Sequence, residues 1–258
     1  MNERDKQEQI ALLREELITR AGGFLRNIIR EPGRTCSVCC TPVDGYHRCV
    51  RCNEHWHQYG SQLADLVVPL SYAVMGKQSG HVMRHYKDDR NPMVRVDFSK
   101  TVALTLGYGL LRHERCIESQ LTMPIDVRVM VPSLSGRPGV HPFQLITDGM
   151  KATSEKCRLV VMPGTRSARR VGDSQFGLKP INSVLNAHVL ILDDTWTTGS
   201  SVQSAAFTLR SAGARRISAI TVSRWLEPSW PPTGAFVPSR LNVDYDPDRC
   251  PATGDRCP

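Results

Sequence analysis

Asp193 and Asp194 follow the apolar run 189–192 and precede the hydroxyl-rich turn Thr195-Trp196-Thr197-Thr198-Gly199-Ser200-Ser201. Four apolar residues in a row read as a strand buried on both faces. Acids at the C-terminal end of such a strand sit where parallel α/β sheets bind their ligands. The turn feeds a helix, because Val202, Ala205, Ala206 and Leu209 recur at helical spacing, with Gly213 placed to cap the end. Free backbone N–H groups at a helix N-terminus, with the positive end of its dipole, receive an anion, typically phosphate. Carboxylates for sugar hydroxyls beside a phosphate cradle suit a phosphorylated ribose. A second apolar run, 217–222, completes a βαβ unit whose strands should be parallel.

A second set of reactive residues lies upstream. Cys36 and Cys39 form one Cys-x-x-Cys pair, and Cys49 and Cys52 form another. Each pair can turn two thiolates toward one tetrahedral zinc, and Pro42, Asp44 and Gly45 suit the reversal between them. In a reducing compartment this spacing favours metal over disulfides. Cys40 and His47 are alternative ligands. Of the nine cysteines, Cys250 and Cys257 in the tail have no role assigned by spacing.

The segment 189–201 resembles the phosphoribosyl pyrophosphate (PRPP) loop of type I phosphoribosyltransferases. Together with the Cys pairs, the chain resembles the ComF family, type I phosphoribosyltransferase-like (amidophosphoribosyltransferase-like) proteins with an N-terminal zinc module. The resemblance spans roughly residues 34 to 225. It implies that Asp193 and Asp194 contact the ribose hydroxyls and act in catalysis. It further implies that Thr195, Thr197, Thr198, Gly199, Ser200 and Ser201 bind the 5′-phosphate end of PRPP. Trp196 departs from the family's smaller residues and is expected to reshape the pocket. The segment 126–133, ending at Pro132-Ser133, resembles the family's first core strand and its turn. Ser133 is therefore assigned to PRPP, and Arg137 to the pyrophosphate as a catalytic cation, although the family's Arg-Gly-Phe order is broken here. Near His81, His85 and Tyr86 the family has a Tyr or a Lys-Tyr pair, so all three are candidates for a catalytic role.

The fold implied is the type I phosphoribosyltransferase fold, a parallel-sheet core with helices on both faces plus the small zinc module. Its expected parts are a leader helix at 1–33, the zinc module at 34–58, the transferase domain at 59–225 and a Pro-rich tail at 226–258. Periodicity suggests a leader helix over 5–29, broken near Gly22-Gly23, and further helices at 55–75, 99–117 and 142–151. It also suggests a second core strand at 158–162. The connection 163–182 reads as a long structureless loop, and loops of that length are usually functional or disordered. Its Arg166, Arg169 and Arg170 would meet pyrophosphate as the loop closes.

Composition sets the outer bounds. With 258 residues, 40% of them hydrophobic, the chain can build a sizeable core. No apolar run approaches the roughly 20 residues of a membrane helix, and the polar N-terminus is not a signal peptide. A cytoplasmic location without membrane insertion is the expectation. A net charge of +8 favours anionic partners. Charge does not choose among them, but the resemblance implies two alternative functions. One is transfer of phosphoribose to an unidentified base or amine acceptor with release of pyrophosphate, aided by Mg²⁺. The other is a non-catalytic PRPP sensor or DNA-uptake (competence) accessory that binds single-stranded DNA or a helicase. Aromatics at 6% give no stacking groove of the kind single-strand binders use. The oligomeric state stays open, a homo-oligomer included.

Overall fold

The run 189–192 is the middle of a strand buried on both sides, and four parallel strands make the core. The computed structural model describes all residues except 1–2, 135–138, 165–169, 173–174 and 182, and of Glu3 the backbone alone. The elements in chain order are α1 (Glu3–Ala21), α2 (Val50–Tyr59), a 3-10 turn (Gly60–Gln62), β1 (Leu66–Val74), α3 (Gln78–His85), α4 (Pro92–Leu121) and β2 (Val127–Met130). They continue with α5 (Pro142–Gly149), β3 (Arg158–Val161), β4 (Phe176–Lys179), β5 (His188–Trp196), α6 (Ser200–Ser211), β6 (Arg216–Leu226) and α7 (Pro231–Arg240). The sheet order is β1-β6-β5-β2, every pair parallel.

Both faces of the sheet are covered. Val189 and Ile191 of β5 pack with Val202, Ala205, Ala206 and Leu209 of α6. Leu190 and Leu192 face Met83 of α3 and Val102 and Leu106 of α4 on the other side. The alternation follows from the two-residue period of a strand. α6 ends in a Schellman motif around Gly213 (φ 89°), with Gly213 N–H on Arg210 O and Ala214 N–H on Leu209 O. α4 starts at an Asn91 cap that accepts from Met93 N, with Pro92 in the first turn. Among the described residues, no helix is long and apolar enough to cross a membrane.

Several expectations are corrected. The proposed helix at 55–75 is instead the end of α2, the 3-10 turn and the core strand β1. Pro69 lies inside β1, which tolerates it because β1 is an edge strand. The leader helix stops at Ala21. The residues after Gly22-Gly23 leave the helix through a turn and have no regular structure, and Arg26 O accepts from Tyr72 N of β1. Helix α4 contains 99–117 but is longer, and α5 matches 142–151 to within two residues. The strand at 158–161 exists but is not a core strand. It pairs antiparallel with β4, which itself lies inside the supposedly structureless 163–182. The Pro-rich tail contains α7 and then returns along α1 and α4. There Tyr245 N donates to Gly22 O, and Asp248 takes Tyr108 Oη at 2.6 Å and Arg14 Nε at 2.5 Å.

Candidate ligand site and metal centre

Asp193 and Asp194 belong to the C-terminal end of β5. They open into a cavity of about 240 Å³ beyond the C-terminal end of β2. Its lining includes Lys87, Ser133, His141, Asp193, Asp194 and Thr195, with Ser201 at the head of α6. Four predicted residues of the 193–201 segment therefore share one wall with Ser133. The Thr195 hydroxyl is buried there with no hydrogen-bond partner among the described residues, so it has capacity for a ligand.

The two acids have different surroundings. Asp194 is buried, and burial alone would raise its pKa. Lys87 Nζ at 2.6 Å and a hydrogen bond from Tyr86 Oη outweigh burial and hold the carboxyl below its ordinary value. Asp193 keeps a partly exposed edge. Burial and the charge of Asp194 push its pKa up to about 8, against one opposing hydrogen bond from Asp194 N at 2.9 Å. The pair thus divides into a fixed anion and a carboxyl that titrates near neutrality.

Tyr86 and Lys87 come from the end of α3, which brings them to Asp194. The histidines do not join them. His81 and His85 stack on each other at 4.1 Å between centroids, and His85 pairs with Asp89 at 3.4 Å. His141 reaches the cavity as the cap of α5, accepting from Phe143 N at 3.2 Å. Lys87 is the residue that sequence reasoning passed over. Its signal was its place directly after Tyr86.

The turn places the N-terminus of α6 directly after the strand end. Gly199 holds φ 81° at the N-cap of α6, which has no side-chain cap of its own. A Cβ there would lie 2.1 Å from Cζ2 of Trp196, so only glycine fits over that ring. The Thr198 and Ser200 hydroxyls lie 3.0 Å apart. Thr197 is exposed, and Ser200 is buried and bonds through its carbonyl to Ser204 Oγ at 2.8 Å. Trp196 is fully buried under the loop and joins the core cluster, so it is the floor of the turn and not a wall of the acid cavity. Arg137, Arg166 and Arg169 lie outside the described residues. Arg170 is exposed, and its carbonyl accepts from Gln175 Nε2 at 2.5 Å.

The four cysteines of the paired motifs meet. The thiols of Cys36, Cys39, Cys49 and Cys52 lie within 4.8 Å of one another, all buried. Zn–S bonds of about 2.3 Å in a tetrahedron put sulfurs about 3.8 Å apart. Cys39 and Cys49 are 3.7 Å apart. The cluster can therefore hold a structural metal such as zinc. Cys49 is the N-cap residue of α2. Neither alternative ligand is in the cluster. Cys40 is turned away in the left-handed region, burial pushes its thiol up to about 12, and His47 is exposed.

A buried arginine joins the two sites. Arg224 of β6 donates from Nε to Thr41 Oγ1 at 2.6 Å, and Thr41 Oγ1 lies 3.2 Å from Cys39 Sγ. Its Nη1 donates to the carbonyls of Trp196 and Thr197 at 2.7 and 2.6 Å. Nothing in the local sequence pattern singled it out, because its partners come from separate segments. No protein-family model matches the chain, and no match is found among curated proteins.

Proposed function

We propose that the chain binds phosphoribosyl pyrophosphate at Asp193, Asp194 and the 197–201 turn, and transfers its phosphoribosyl group to a nitrogen acceptor with release of pyrophosphate. The reading rests on the resemblance of 189–201 to the PRPP loop. The observation that carries it is the junction, at one strand end, of two acids in different surroundings with the N-terminus of α6, which has a glycine at its N-cap. The turn's N–H groups take the 5′-phosphate. Asp194, held by Lys87 and Tyr86, accepts from a ribose hydroxyl without moving, which is positioning done before reaction. Asp193, once ionised, places a second carboxylate beneath the ribose as positive charge grows at the anomeric carbon. That carbon loses pyrophosphate with its bonding electrons and gains the nitrogen, whose proton leaves to solvent.

Mg²⁺ is the cation the resemblance implies, and the donors suit it. It takes hard oxygen ligands and keeps several waters. Asp194 is occupied by Lys87, so Asp193 offers the carboxylate oxygens, and a divalent cation beside it would reverse its upward pKa shift. When bound it supplies charge neutralisation of the pyrophosphate.

The test is titration calorimetry with PRPP and Mg²⁺, followed by pyrophosphate release in the presence of purines, pyrimidines or amine donors. Asp193→Asn combined with Asp194→Asn is expected to abolish binding. Unchanged affinity in a folded double variant overturns the assignment. Binding without pyrophosphate release from any acceptor leaves a sensor and removes the transferase.

A further inference from the structure

The two tail cysteines that spacing left without a role meet a helix more than a hundred residues upstream. His113 and Cys116 lie one turn apart on α4, and their side chains converge with those of Cys250 and Cys257. The four ligand atoms fall within 4.8 Å of one another, and none of the cysteines is in a disulfide. We infer that His113, Cys116, Cys250 and Cys257 form a second structural zinc site, which clamps the C-terminal tail onto α4.

Three observations carry it. The first is distance. A tetrahedral zinc with Zn–S of about 2.3 Å and Zn–N of about 2.0–2.1 Å sets S and N about 3.6 Å apart. Cys257 Sγ is 3.5 Å from His113 Nδ1. The second is the imidazole. His113 is buried, and its Nε2 lies 3.0 Å from the Pro247 carbonyl. A carbonyl only accepts, so Nε2 is the donor there, and Nδ1 is the nitrogen that faces the sulfurs. A backbone carbonyl on the far nitrogen is the usual orienter of a zinc-bound histidine. The third is the loop between the tail cysteines. Cys250 N donates to Asp255 O at 2.7 Å, and Gly254 N donates to Cys250 O at 2.8 Å. Gly254 at φ 89° makes this closed turn, which returns the chain so that Cys257 faces Cys250.

Ordinary packing of small apolar thiols would also bury cysteines. It gives no reason for a buried imidazole, held by a carbonyl on one nitrogen, to turn the other toward three of them. Three soft thiolates with one imidazole in a tetrahedral set select zinc among divalent ions.

Plasma mass spectrometry on the purified full-length chain reads the metal directly. About two zinc ions per chain are expected, falling to about one in Cys257→Ser and, independently, in Cys36→Ser. Cys257 is the least buried of the ligands, so its substitution disturbs packing least. If that variant fails to fold, cobalt replacement in the unaltered chain takes its place. Overlapping ligand-field bands of an all-thiolate site and of a site with three thiolates and one imidazole are expected. Conversion of the mixed-ligand bands to the all-thiolate type in His113→Cys supports the set. A zinc content of about one per chain that Cys257→Ser leaves unchanged overturns the site. So does a cobalt spectrum of the all-thiolate type alone, or a Cys116–Cys250 disulfide in mass spectra of unreduced protein.

Discussion

Asp193 and Asp194 are neighbours in sequence with identical side chains, and their environments alone separate them. The raised value of Asp193 makes a pH prediction that needs no ligand. A carboxyl whose folded pKa is about 8 against an ordinary 3.8 adds stability that is complete below the lower value. That stability is lost progressively as pH rises through the upper one. Asp193→Asn keeps the oxygen that accepts from Asp194 N but cannot ionise. Its melting temperature should therefore exceed that of the unaltered protein above about pH 8, with the gap closing toward about pH 5. Scanning calorimetry across that range decides the point, and a constant gap would refute the raised pKa. With ligand, the same group gives the opposite slope. If PRPP with Mg²⁺ selects ionised Asp193, affinity climbs with pH by at most about tenfold per unit and levels near pH 8. Asp193→Asn should flatten that climb in calorimetric titrations.

At the scale of elements, what was legible depended on whether the signal was local. β5, α6 and β6 are contiguous, with short connections and clean periods, and each forms where its pattern says. β1 was misread because Leu66–Val74 is a short apolar run containing a proline, and periodicity alone does not separate a buried strand from a buried helix. Arg158–Val161 was read correctly as a strand but wrongly as core, since pairing partners are a tertiary matter. Gly199 and Trp196 illustrate the same division. The glycine is expected at a helix N-terminus that receives an anion. That an indole lies beneath it is set by the packing of β5 on α6. Gly199→Ala should therefore cost about 1–2 kcal/mol from its left-handed backbone alone, with the ring clash added. In a double-mutant cycle with Trp196→Leu the combined loss should be smaller than the sum, because the smaller side chain vacates the clashing volume. Urea unfolding measures all three variants, and strict additivity would show that the ring is not what excludes a Cβ.

Over the whole molecule, the N-terminal four-cysteine cluster and the 197–201 turn are joined by Arg224. The path runs from Cys39 through Thr41 to the guanidinium, and from there to the carbonyls of Trp196 and Thr197. Those carbonyls belong to the turn whose N–H groups are proposed to take the 5′-phosphate. Metal in the cluster fixes Cys39 and, through it, the orientation of Thr41, so losing the metal should loosen the turn. Strong chelation, or Cys36→Ser, is expected to raise amide exchange across 197–201 while the β5–β6 core stays protected. Arg224→Met tests the bridge without touching the cysteines. It leaves two carbonyls without their buried donor, a loss of about 1–3 kcal/mol for each unsatisfied group. The folded variant should still bind zinc at Cys36, Cys39, Cys49 and Cys52, exchange faster at 197–201, and show exchange there that no longer responds to chelation. Exchange at 197–201 that still rises on chelation in Arg224→Met would mean that the two sites communicate by another route, and unchanged exchange on metal removal in the unaltered chain would mean that they do not communicate at all.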